Sequence, residues 1–124
     1  HLKMDGMDVF NFGISVVPSD IKKVLKYSNK EIIDVDILVY HQANKLMTDF
    51  FSKRLKISHE RVLYSLEKYG NTSSASIPLT FVECLGGRDV NFHNVIISGF
   101  GAGLSWGTAL LALKDTNISK LIEY

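Results

Sequence analysis

Residues 95–113, VIISGFGAGLSWGTALLAL, carry no charge and hold four glycines, at 99, 101, 103 and 107. Such a stretch has to be buried, and two structures could bury it. One is a membrane helix packed through the GxxxGxxxG spacing of Gly99, Gly103 and Gly107. The other is a pair of buried strands joined by a glycine-rich turn. Each glycine costs a helix in water about 1 kcal/mol relative to alanine. The flanking runs NVIIS and TALLAL are short, apolar and of strand length. The strand pair is therefore the preferred reading.

The rest of the chain fits that choice. In MDGMDVFNFGISVV, Asp5-Gly6 is a turn signal, and Phe10, Phe12, Ile14 and Val16 alternate at period two, which predicts a strand. Pro18 suits a first helical position. Ile21, Val24, Leu25 and Ser28 then share one helical face, with Lys22, Lys23 and Lys26 pointing away. VDILVY predicts a compact apolar strand. Residues 43–56 predict a helix, with Leu46, Met47, Phe50, Phe51 and Leu55 at helical spacing. Ser58 opens a turn, and RVLYSL reads as another strand. Ser73, Ser74 or Ser76 can cap a helix that has Pro78 near its start and ends at Gly86-Gly87. KDTNISKLIEY reads as a tail or a short terminal helix. Strands alternating with helices predict an α/β layer structure around a largely buried sheet.

A chain of 124 residues, 46% hydrophobic and 22% charged, can bury one core, so a single domain is expected. A formal charge of +1 gives no concentrated basic face for nucleic acid. The single cysteine, Cys84, rules out an internal disulfide and fits a reducing compartment, hence a cytoplasmic protein. No signal segment opens the chain. It starts at His1 and not at Met, which suggests a piece of something longer or a processed product.

The chemistry centres on three places. Ligands in open α/β sheets gather beyond the carboxyl ends of strands. His41 stands at such an end, Asn71 lies in the loop after RVLYSL, and the glycine turn follows NVIIS. Singly these have ordinary explanations: a structural histidine, a turn asparagine, a tight turn. Together, a neutral imidazole and an amide can both donate hydrogen bonds to one developing oxyanion. GLSWG matches the G-x-S-x-G nucleophile elbow. However, that motif needs a following helix and a later histidine, and the histidines at 1, 41, 59 and 93 all precede Ser105. No G-x-G-x-x-G is present, and the histidines are too scattered for a metal pair, so no metal is expected. Cys84 falls inside a predicted helix, where an inert thiol is expected.

HLKMDGMDVFNFGI, VYHQAN, YGNTSSASIPLTF and GFGAGLSWGTALL, in that order, make nearly the whole chain resemble the C-terminal part of β-ketoacyl-acyl-carrier-protein synthase III, of the thiolase superfamily. The resemblance implies a thiolase-like half-domain, a mixed sheet with helices packed on it, spanning residues 1–124. It implies that His41 and Asn71 complete a Cys-His-Asn site, with the cysteine in an N-terminal half outside these residues. Cys84 does not match that cysteine's motif. The cysteine takes an acyl group from acyl-CoA. Malonyl-acyl carrier protein then loses carbon dioxide, and its carbanion attacks the acyl-cysteine. His41 and Asn71 would hold the malonyl thioester oxygen, and the Ala102 backbone N–H would face the acyl carbonyl. Phe10, Ala43 and Phe100 match positions lining the pantetheine channel. Lys45, Lys53 and Arg54, with Lys56, would give an acidic carrier protein a basic helix face, although an ordinary solvated face has the same composition.

The resemblance implies no cofactor beyond the CoA thioester substrates, no nucleic acid or membrane partner, and a homodimer for the full-length protein. This chain alone is expected to be inactive. Two positions depart from the pattern: Met7 stands where an asparagine often lies near the channel, and Leu46 where a docking cation is common. Two other readings therefore stay open, a synthase-III-like acyltransferase with another acceptor and a non-catalytic binding half-domain.

Overall fold

The computed structural model describes residues 6–122. In order, the helix α1 (Gly6–Tyr27) leads to the strand β1 (Ile37–Tyr40), then to helices α2 (Lys45–Leu55), α3 (Leu66–Tyr69) and α4 (Ser76–Leu85). The strands β2 (Arg88–Gly101) and β3 (Ser105–Ile118) close the chain. The sheet runs β1-β2-β3, with β1 parallel to β2 and β2 antiparallel to β3. Helices pack on this mixed sheet, as expected of a thiolase-like half-domain.

The charge-free stretch is the strand pair. Val95 pairs with Leu111 and Phe100 with Trp106 across β2 and β3, around a turn at residues 102–104. Among the described residues, no helix is long and apolar enough to cross a membrane. Both strands outrun the expected apolar cores. KDTNISKLIEY is neither tail nor helix up to Ile118, because Arg88 pairs with Ile118 and the Asn117 amide donates to Asp89 Oδ1 at 2.8 Å.

The expected strand over residues 10–16 is instead the first half of α1, and Pro18 lies inside that helix, not at its start. The residues satisfy both periods. Phe10 and Ile14 recur with Gly13, Val17, Ile21 and Leu25 at helical spacing, and this is the face that reaches the core. Pro18 has no N–H for the carbonyl of Ile14, but its ring is buried with the same face. Gly13 admits α2 closely, since a Cβ there would come within 2.5 Å of Met47 Cε. Asp5 of the expected turn lies outside the described residues.

RVLYSL is not a regular strand either. Arg61 ends a 3-10 turn, Val62 makes one parallel bridge to Leu38, and Leu63 N–H donates to the Leu38 carbonyl at 3.0 Å. The chain then turns away because Ser65 N–H is taken by the Gln42 side-chain oxygen at 3.2 Å. The main core lies between the sheet and α1 and α2, built on Leu38, Tyr40, Ile96, Phe51 and Ile21. Ile37 and Val95 face the other way, onto the Leu85 side of α4. β1 is buried along its whole length, so His41 emerges from the middle of the packed structure.

Candidate functional site

His41 follows β1 directly, and its main-chain N–H continues the β-ladder onto the Ser98 carbonyl at 2.8 Å. The ring is packed edge-to-face on Phe100, with centroids 5.5 Å apart, and Phe100 in turn sits against Phe51. Nδ1 lies 2.6 Å from Ser76 Oγ, at the first turn of α4. Burial holds the imidazole below its ordinary pKa, offset in part by the Ser73 main-chain carbonyl, so the neutral ring is favoured at pH 7.

Asn71 follows Gly70, whose φ of +66° suits glycine. The Asn71 side-chain oxygen accepts the Ser73 N–H at 2.9 Å. That commits the acceptor end of the amide and leaves the NH2 as its donor end. The 3-10 turn Ser73–Ala75 then leads into α4. No serine caps that helix through its side chain: the N-cap is Ala75, and Ser76 is already helical. Asn44, from the same HQAN segment, caps α2 instead, accepting the Met47 N–H at 2.9 Å.

These segments enclose a cleft of about 1010 Å³. It brings together His41, Asn71, Ala102, Ala43 and Phe100, and Met47, Ile77 and Trp106 add apolar wall. Convergence of the three polar segments on one side of the sheet, expected from the sequence, is what the structure has. His41 is the one titratable side chain among the described lining residues. A ligand's developing negative charge would thus meet neutral donors in an apolar setting, where hydrogen bonds act strongly. The tip of the glycine turn is fixed by Ser105 Oγ–H donating to the Ala102 carbonyl at 2.9 Å.

Other expected residues lie elsewhere. Phe10 does not line the cleft; it is half-buried and packed against the core. Lys45, Lys53 and Arg54 are exposed on α2, and Lys45 Nζ sits 3.4 Å from Asp49. Leu46 is 70% exposed on the same helix, so the apolar repeat read there includes a surface residue. Cys84 lies outside the cleft. Its Sγ donates to the Tyr64 carbonyl at 3.3 Å, and burial raises its pKa, as for an inert thiol.

Sequence reasoning missed Gln42 and Ser76. Gln42 is 1% exposed, donating to the Tyr40 carbonyl and accepting from Ser65 N–H. A buried amide directly after a strand-end histidine was the available signal. For Ser76 the signal was only one serine among several.

Residues 25–113 match the family model described as 3-oxoacyl-[acyl-carrier-protein] synthase III C terminal. The β-ketoacyl-[acyl-carrier-protein] synthase III of Prochlorococcus marinus (strain MIT 9215) is 44% identical over 111 residues, covering 89% of this chain and 33% of that protein. That of Microcystis aeruginosa is 46% identical over 115 residues, covering 92% of this chain and 34% of that protein. The crystal structure of a 3-oxoacyl-(acyl-carrier protein) synthase from Burkholderia xenovorans LB400 superposes with a TM-score of 0.90 at 36% identity, over 98% of this chain and 35% of that one. The chain thus spans about a third of the length of the curated relatives it matches.

Proposed function

The chain belongs to the C-terminal family of 3-oxoacyl-[acyl-carrier-protein] synthase III, and from that premise we propose that it is the C-terminal domain of a decarboxylating Claisen-condensing enzyme. The whole enzyme joins an acyl group from acyl-CoA to malonyl-acyl carrier protein at the start of fatty acid synthesis. One observation carries the reading: His41 and Asn71, far apart in sequence, face one cleft with no acidic side chain, lysine or arginine among its described lining residues.

When malonyl thioester loses carbon dioxide, the electron pair of the broken C–C bond passes into an enolate. The Asn71 NH2 and a ring N–H of His41 donate to its oxygen. Neither is an ion, so no ion pair has to be broken as charge develops. The enolate carbon then forms a bond to the acyl carbon of an acyl-cysteine, and the C–S bond breaks to release thiolate. The main-chain N–H of Ala102 faces the oxyanion formed in that step. The thiol comes from outside these residues, because Cys84 is hydrogen-bonded, raised in pKa and away from the cleft. Ala43 and Phe100 wall the pantetheine channel, and Lys45, Lys53 and Arg54 meet the acidic carrier protein. A second reading, a different acceptor, draws on Leu46, which presents an apolar side chain on that docking helix.

The test is product analysis. The longer protein that contains this chain is given acyl-CoA and either malonyl-acyl carrier protein or an alcohol or amine acceptor. A 3-oxoacyl-carrier-protein product is expected. An ester or amide as the sole product would overturn the condensing reading.

A further inference from the structure

Ser76 is 1% exposed, and its Oγ lies 3.3 Å from the Gln42 main-chain nitrogen and 2.6 Å from His41 Nδ1. A main-chain N–H can only donate, so Ser76 Oγ accepts from Gln42. Its own proton then needs an acceptor. Among the described residues, the one placed at hydrogen-bond distance is His41 Nδ1. A proton on Nδ1 would instead give Oγ two donors and strand the buried hydroxyl hydrogen.

We propose that Ser76 is a positioning residue: its hydroxyl donates to His41 Nδ1 and holds the ring in the Nε2–H tautomer, leaving Nε2 as the donor for the cleft. Ser76 is itself held. Thr80 Oγ1–H donates to the Ser76 carbonyl at 2.7 Å, so the 2.6 Å contact between Ser65 and Thr80 is a bond donated by Ser65. Ser65 N–H donates to Gln42 Oε1, and the Gln42 amide donates to the Tyr40 carbonyl at 2.9 Å. This ring of directed bonds ties α4 to the residues on either side of His41. It explains why a buried glutamine follows the histidine. The catalytic consequence rests on the function proposed above; the tautomer does not.

Nitrogen-15 spectroscopy of histidine in the full chain, above the titration range of His41, tests this. The expected spectrum has a pyrrole-type Nε2 and a pyridine-type Nδ1 for His41. Ser76→Ala should give a tautomer mixture, and Ser76→Thr, which keeps a hydroxyl, should restore the single form. A pyrrole-type Nδ1 in the unmodified chain, or an unchanged tautomer in Ser76→Ala, overturns the proposal. Should Ser76→Ala fail to fold, the unmodified chain still decides, since a pyrrole-type Nδ1 there overturns the proposal and a pyridine-type Nδ1 supports it. An Nε2–H ring that depends on Ser76, with undiminished decarboxylation in His41→Ala, supports the positioning and overturns only the enolate-donor role given to His41 above.

Discussion

The Asn71 side-chain oxygen accepts the Ser73 main-chain N–H at 2.9 Å, which turns the donor end of the amide into the available one. Aspartate at this position can still accept that N–H but offers no donor, and it adds negative charge beside a developing enolate. Asn71→Asp should therefore fold with its thermal midpoint little changed. Decarboxylation should fall about 10²–10³-fold, the usual loss for one oxyanion donor. Melting curves and carbon dioxide release, measured on the same preparations, check both halves.

His41 sets a pH dependence whose sign follows from burial. Its folded pKa lies below the ordinary imidazole value of about 6.5, with desolvation the larger cause. Between those two values the unfolded chain binds more protons, so stability rises with pH across that window. The His41 contribution is fully present above about pH 6.5 and declines as pH falls toward the folded pKa. Titration of the His41 ring followed by proton NMR should give a midpoint below 6.5. A midpoint at or above that value contradicts the burial seen here.

Gln42 links Tyr40, Ser65 and, through its main chain, Ser76. Gln42→Ala removes both side-chain bonds and strands the Ser65 N–H, which is buried. The expected destabilisation is about 2–3 kcal/mol, read as a lower urea midpoint with an unchanged slope. A shift within error would mean that water replaces the amide.

Lys53 and Arg54 stand exposed at the end of α2, away from the cleft lining. Reversing both to glutamate should raise KM for malonyl-acyl carrier protein about tenfold and flatten its salt dependence, because exposed charges act chiefly on encounter. KM for acyl-CoA should hardly move. Equal effects on both substrates would argue against a carrier-protein role.

The site was more legible than the fold that carries it. His41 and the glycine turn could be placed because each follows an apolar strand, and strand ends converge in an open sheet; Asn71 joins them although RVLYSL forms only an isolated bridge and α3 precedes it. α1 was hidden because Phe10 and Ile14 serve a period of two as well as a period of 3.6, and Pro18 sits buried within a helix where it looked like a start. RVLYSL has strand composition, yet the Ser65 N–H is diverted to Gln42, so only Val62 bridges to β1. The pairing of His41 with Ser76 joins residues 35 apart, and no local pattern announces it. Strand lengths were underestimated because Arg88 and Asp89 pair with Ile118 and Asn117 beyond the apolar core.

The most direct test of the central claim separates the two half-reactions in the longer protein carrying His41→Ala. Acyl transfer from acyl-CoA to the enzyme and carbon dioxide release from malonyl-acyl carrier protein are timed independently. If His41 donates to the enolate, carbon dioxide release falls about 10²–10³-fold while acyl transfer stays within a few-fold of the parent. Carbon dioxide release at the parent rate would contradict the account.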